Sequence, residues 1–305
     1  MTLRYAYNTN GCAHHRLPDA LDLIAEAGYE GVALTLDWHH LDVTADDYEA
    51  QAARVDTMCR ERGLGVVVET GARFVLDFRR KHRPTLMAPT PGGRKLRLEF
   101  LTRALDVCAI TGGECVSFWS GPVPDDAAPE ASAAGAASGG TAAASGGTAD
   151  AWKRLEDGVG ALVERARARG VEAAFEPEPG HLTERLADYD RLAAVAPGLR
   201  LALDTGHLLV TGEQAPAEAV RQRHAQLGTV AVEDMDRGVH LHKPFGTGDM
   251  DVPAVLAALR GVGYSRLVTV ELSRESPRAH LAVAQSIAFL REAEASGAGA
   301  GSPPA

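Results

Sequence analysis

The chain lacks the runs and clusters that mark several large function classes. No apolar run reaches the roughly 18 residues that a membrane-spanning helix requires. The first residues, MTLRYAYNTNG, hold no apolar signal core and pass directly into a strand-like run, which predicts a cytoplasmic protein. Four cysteines, Cys12, Cys59, Cys108 and Cys115, form no C-x-x-C pair and no disulfide-like framework. Reduced structural thiols are expected from that spacing. Basic residues are outnumbered, 31 against 41 acidic, for a formal net charge of -10. A general nucleic-acid binder needs a concentrated positive surface, so nucleic acid is not an expected partner. The first βα turn reads NTNGCAHH, without the G-x-G-x-x-G of an open dinucleotide-binding sheet.

Two stretches contribute little to a core. Residues 127–149 and 295–305 are rich in Ala, Gly and Ser, and bury too little apolar surface to offset their ordering entropy. Setting them aside leaves about 270 residues, close to the size of one eightfold β/α barrel. Short β-rich runs at 3–9, 31–37, 65–69, 115–119, 171–176, 199–204, 229–233 and 267–272 punctuate the chain. Helical patterns follow them at 18–27, 48–62, 96–110, 152–169, 186–196, 215–226, 252–260 and 279–293. Eight strands, each followed by a helix, predict an α/β fold: a single (β/α)8 TIM barrel over residues 1–294. The 127–149 segment is expected as a disordered insertion after the fourth strand, and 295–305 as a disordered tail.

In such a barrel the reacting groups sit at the C-terminal strand ends. Strand two ends LTLDWHH (Asp37, His39, His40) and strand three VVVET (Glu69). Strand five ends AAFEPEPGH (Glu176, Glu178, His181) and strand six LALDTGH (Asp204, His207). Strand seven ends VAVEDMD (Glu233, Asp234) and strand eight VTVELSRES (Glu271, Arg274, Glu275). Any one carboxylate there can cap the next helix or pair with an Arg. Glu176, Asp204 and Glu271 each end an apolar strand, and gathering them in one mouth costs repulsion and desolvation. A divalent cation removes much of that cost. Oxygen-rich sites with one or two imidazoles suit Mn, Mg, Co or Zn. Glu178 and Glu275 are expected further out, solvated or behind the ligands. The basic segment 78–84 (FRRKHRP), with Arg94 and Lys95, reads either as a phosphate or carboxylate site or as a solvated loop. Trp38, Phe74 and Trp119 lie near strand ends, where they either wall a pocket or pack between layers. His14 and His15 are adjacent, so at most one of them faces the mouth.

The segments AEAGYEGVALTLD, EPEPGH, LDTGH, EDMDRGVHLHKPFGTGDMDVPAVLAALR and VTVELSRES, in this order, carry a resemblance. The chain resembles the xylose isomerase-like superfamily of barrels, the sugar phosphate isomerase/epimerase or AP endonuclease family 2 group. The resemblance implies a divalent metal held by Glu, Asp, His and Glu on strands five to eight, hence Glu176, Asp204 and Glu271 here. It also implies that His207 contacts substrate oxygens. Relatives read His-Val-His-Ile-Glu-Asp at strand seven; this chain has Ala231 at the ligand position. His240 and His242 are the candidate replacements, Glu233 is another, and a weak or absent metal is the third outcome. A register in which VHLHK forms strand seven fits the strand pattern less well.

The implied function is a metal-dependent isomerase or epimerase acting on a sugar, sugar phosphate or cyclitol through an enediolate. Glu176 and Glu271 are the catalytic candidates, and His207, Trp119 and Arg274 the substrate-binding ones. Glu176, Asp204, His240, His242 and Glu271 are the metal candidates. Two alternatives stay open: an AP endonuclease-like phosphodiesterase, and a non-catalytic protein that binds a sugar-like metabolite. Homo-oligomers are common among relatives.

Overall fold

The computed structural model describes residues 2–71, 73–124 and 146–298. Strands and helices alternate along the chain. The first half holds β1 (Arg4–Asn8), α1 (Leu17–Glu26), β2 (Gly31–Thr35), α2 (Tyr48–Glu61), β3 (Gly65–Glu69), α3 (Pro91–Ile110), β4 (Val116–Phe118) and α4 (Gly146–Arg169). The second half holds β5 (Ala173–Phe175), α5 (Leu186–Val195), β6 (Arg200–Asp204), α6 (Thr205–Thr211), α7 (Pro216–Arg223), β7 (Leu227–Val232), β8 (Asp234–Asp236), β9 (Val239–Lys243), α8 (Val252–Gly261), β10 (Leu267–Val270) and α9 (Ala279–Ala298). Strands β1 to β7 and β10 close in parallel into an eight-stranded barrel, in the order β1-β10-β7-β6-β5-β4-β3-β2. Helices cover the outer face, so the strands are buried on both sides and read as continuous apolar runs.

Inside the barrel one small side chain comes from most strands. Ala6, Ala33, Val67, Cys115, Ala174, Ala202 and Leu267 form a cluster separate from the main core between sheet and helices. Leu267 fills the floor: a Cβ on Gly31 would lie 2.6 Å from Leu267 Cδ1. Gly31→Ala is therefore expected to cost about 1–3 kcal/mol through overpacking. A chemical-denaturation midpoint that does not move would contradict that account.

The eight β/α units match the sequence pattern, and the differences have local causes. Helix α3 starts at Pro91 rather than 96, because the Thr90 hydroxyl accepts from Gly93 N (3.2 Å) and Pro91 sits in the first turn. Helix α6 is too short to show a period in sequence, and Asp204 is both the last residue of β6 and the N-cap of α6. VHLHK is a strand, β9, but it pairs antiparallel with β8 outside the barrel. Strand seven is β7, so the alternative register does not occur. Helix α4 already includes residues 146–149, the end of the Ala/Gly/Ser-rich stretch; the expected insertion otherwise lies outside the described residues. Likewise α9 runs to Ala298, and 299–305 lie outside. All four cysteines are free and buried. Among the described residues no helix is long and apolar enough to cross a membrane.

Candidate metal centre

The C-terminal ends of the strands surround a cavity of about 300 Å³. Glu176 follows β5, Asp204 ends β6 and Glu271 follows β10, and all three turn into the mouth or its floor. The helix-capping role of Asp204 fixes its carboxylate: Oδ1 accepts from His207 N at 3.0 Å. His207 is fixed in turn, since its Nδ1 lies 3.0 Å from the Pro177 carbonyl. A carbonyl can only accept, so Nδ1 carries a proton and Nε2 is the nitrogen turned toward the carboxylates. That Nε2 is 3.5 Å from Asp204 Oδ2 and 3.7 Å from Glu178 Oε2. Both His207 Nε2 and Asp204 Oδ2 are buried without a hydrogen-bond partner. Two facing lone pairs repel unless a proton or cation lies between them.

Ligand-capable atoms of Glu176, Asp204 and His207 lie within 4.8 Å of one another, and so do those of Asp204, His242 and Glu271. The two triads share Asp204. Ala231 pairs with Asp204 on β6 and Thr269 on β10, and so stands where a strand-seven ligand would. The β8–β9 hairpin, turning at Gly238 with φ 73, brings His242 back beside that position. Glu233 backs it. Its Oε1 accepts from Gly206 N (3.1 Å) and its Oε2 is 3.9 Å from His242 Nδ1. His240 groups with His207 and His242 instead, its Nε2 3.7 Å from Glu178 Oε1. These residues fit a divalent cation: the donors are carboxylate and imidazole, and two of their buried atoms are orphaned without one.

The motif glycines have steric reasons. A Cβ on Gly206 of LDTGH would strike the Glu233 carboxylate. One on Gly248 of GTGD would strike Asp234, whose two oxygens accept from Thr247 N and Met250 N (3.0 Å each) and so brace the hairpin. Gly206→Ala is expected to push Glu233 off His242 and weaken divalent-cation affinity about tenfold, the scale of losses behind a ligand. Manganese titration of the variant checks this, and unaltered affinity would remove the backing role of Glu233.

Burial dominates the electrostatics. It holds Glu176 well above the ordinary carboxyl range, helped by Glu178, Asp204 and Glu271. Glu233 is likewise held well above by burial and Asp204, and Glu178 is raised. Glu69 is pushed up to about 7 by burial and Glu271. Burial also opposes ionised Asp204, but His207 and His242 outweigh it and hold that carboxyl down. Burial would lower His242, yet Glu271, Glu233 and Asp204 raise it to about 10. His82 and His240 fall to about 4 and His181 to about 3, all mainly by burial.

A pH dependence follows for the metal-free chain. Raised Glu69 favours the fold while its proton stays on, and that stability is lost as pH rises through about 7. Raised His242 contributes fully below its ordinary 6.5, and its contribution is lost as pH rises through about 10. The expected outcome is a melting temperature that declines from pH 6.5 to 9, with saturating manganese flattening the decline. A level metal-free profile would contradict it.

Trp119 and Arg274 line the cavity as expected, with His207, His240 and His242. The Trp119 ring meets His82 (4.8 Å) and His181 (5.3 Å) edgewise or tilted. The buried Arg97 guanidinium lies behind it at 4.6 Å. Trp38, Phe74, His14, His15, Asp37 and His39 do not enter the cavity; they line a neighbouring groove. His40 is buried against the His15 carbonyl. Glu275 turns to Arg278 (2.7 Å). Of the two places expected for Glu178, solvated or behind the ligands, the structure shows the second, closer in than its position along the loop suggested: it reaches the cavity between His207 and His240. Sequence reasoning missed Asn8 and Asn10, whose amides donate to Glu271 Oε2 (3.3 Å) and Oε1 (3.0 Å). The paired amides of NTN at the end of strand one were the available signal.

The family model described as xylose isomerase-like TIM barrel matches residues 21–293. An inosose dehydratase of Lacticaseibacillus casei is 26% identical over 149 residues, 43% of this chain and 50% of that protein. The match thus spans half the length of that curated relative. Among solved structures, a 3-keto-D-glucoside 4-epimerase from E. coli superposes with a TM-score of 0.71 at 18% identity, over 95% of this chain and 100% of that one. An L-ribulose 3-epimerase gives 0.71 at 17% identity, over 100% of both chains. A D-allulose 3-epimerase from Methylomonas sp., in complex with D-allulose, gives 0.66 at 18% identity, over 95% and 98%. At these identities the superpositions carry the fold.

Proposed function

Because the chain belongs to the xylose isomerase-like TIM barrel family, we propose that it is a divalent-metal-dependent isomerase or epimerase of a sugar-like substrate. The observation that carries this reading is the pair of triads sharing Asp204, with a glutamate on each flank. Strands β6 and β7 separate β5 from β10 around the barrel, so Glu176 and Glu271 address a substrate from different sides. Glu176, Asp204, His242 and Glu271 would hold the cation, with His207 beside them. When bound, the cation supplies Lewis-acid charge to two adjacent substrate oxygens, a carbonyl and the neighbouring hydroxyl.

The chain's own residues supply the proton chemistry. Asn8 and Asn10 both donate to Glu271, which keeps its oxygens as acceptors for a proton from the carbon beside the carbonyl. Glu176, whose carboxyl is raised by burial and its acidic neighbours, is placed to give a proton back from the other side. Return to the opposite face of the same carbon is epimerisation; return to the neighbouring carbon is aldose–ketose isomerisation. Trp119 offers a flat apolar wall for the sugar.

The dehydratase relative favours a second reading, loss of a hydroxyl from the carbon beyond the abstracted proton, as water. One experiment tests both. Manganese-loaded protein is incubated in deuterated water with ketohexoses and with inosose, and followed by NMR. Deuterium entering beside the carbonyl with inverted configuration or a moved carbonyl supports the first reading, and water loss the second. No exchange with any of these substrates rejects both.

A further inference from the structure

Three cations stand on the rim of the cavity whose floor is acidic. Arg73 and Lys81 come from the loop after β3, and Arg274 from the loop after β10. Among the described residues none of the three has a carboxylate within ion-pair distance. Their neighbours in the same basic segment are otherwise engaged. Arg80 pairs with Asp77 (2.7 Å), Arg79 covers the Phe78 ring, and Arg94 donates to the carbonyls of Ala88 and Pro89. Only Lys81 and His82 of that segment turn to the cavity.

The loop that carries two of these cations is tied down at the mouth. His82 sits at φ 64, uncommon for a residue other than glycine, with its N donating to the Arg73 carbonyl (2.6 Å) and its Nδ1 2.9 Å from the Gly71 carbonyl. These two contacts draw the ends of the segment together, and Arg73 and Lys81 line the same opening. A divalent cation on the floor would offset two of the charges of Glu176, Asp204 and Glu271, so the floor would compete less with an incoming anion for the three rim cations. In a chain of net charge -10, three cations at one rim are a local concentration of the opposite sign.

We propose that Arg73, Lys81 and Arg274 form a subsite for an anionic group on the substrate, a phosphate or a carboxylate, at the end remote from the reacting carbons. The substrate is then a phosphorylated or acidic polyhydroxy carbonyl compound rather than a neutral sugar. This rests on the reading of the site given above, and the test separates the two.

Manganese-loaded full-length protein is titrated calorimetrically with D-fructose, D-fructose 6-phosphate and D-fructuronate. The same three are followed for deuterium uptake from solvent. At least one of the two anions should bind about tenfold or more tightly than D-fructose at low salt, an advantage that shrinks in 0.5 M salt, where the Debye length is about threefold shorter than in 0.05 M. The Lys81→Met/Arg274→Met variant should lose the advantage while melting at the same temperature, because both side chains are exposed. Tight binding of the 6-phosphate alone assigns a phosphate, and of the uronate alone a carboxylate. Equal binding of all three, no binding of either anion, or an advantage that survives in the variant overturns the subsite. Deuterium uptake without an anion preference leaves the isomerase reading standing and the subsite refuted. An anion preference that the variant loses, without uptake, does the reverse.

Discussion

Glu271→Gln leaves the barrel folded and lowers turnover by about a thousandfold or more, the scale of removing a positioned general base. The two consequences come from different atoms. Asn8 and Asn10 donate to the two Glu271 oxygens, so a glutamine can accept from only one of them. The orphaned amide costs about 1 kcal/mol. Against this, Glu271 is among the charges that raise Glu69 and Glu176, and its loss relieves both. A near-unchanged melting temperature is therefore expected. The catalytic loss has no such compensation, because an amide takes no proton from carbon. Full turnover in this variant would remove Glu271 from the reaction.

His242→Ala should weaken divalent-cation affinity by about a hundredfold, beyond the smaller effect expected for a residue behind a ligand. Ala231 puts a methyl group where strand seven would otherwise supply a donor, and His242 reaches the same neighbours, Asp204 and Glu271, from the hairpin. Metal content after dialysis against chelator, and manganese titration, read the loss. Adding Ala231→His to this variant should recover part of the affinity, since that strand position lies between Asp204 and Thr269. Undiminished affinity in His242→Ala would place the fourth ligand elsewhere. Affinity preserved in His242→Ala but lost in Glu233→Gln would move it to Glu233.

The legible part of this site is local. Each of Glu176, Asp204 and Glu271 closes an apolar run, and the end of a run is visible without a partner. Arg274 and His207 follow from the same rule, since they lie a few residues beyond a strand end on the barrel's active face. For Glu178 the distance along the loop left solvent and a place behind the ligands both open. The loop instead turns back, with Glu178 N donating to the Thr183 carbonyl (2.9 Å), and carries the side chain inward. Trp38 and Phe74 show the converse. Both lie near strand ends, yet they are 74% and 52% exposed and belong to the neighbouring groove.

By itself the sequence determined the eightfold alternation, the strand ends and the three acidic residues on them, because period and position along a strand are properties of neighbouring residues. The Ala231 departure was equally plain there. Which side chain comes to stand beside the vacant place was decided only by tertiary structure. The hairpin turning at Gly238 returns His242 to a strand that ended ten residues earlier, and Glu233 lies behind it because Gly206 leaves room. No periodicity encodes that return. It rests on Asp234 of β8 accepting from Thr247 N and Met250 N, 13 and 16 residues further on, contacts that no pattern along one strand or helix specifies.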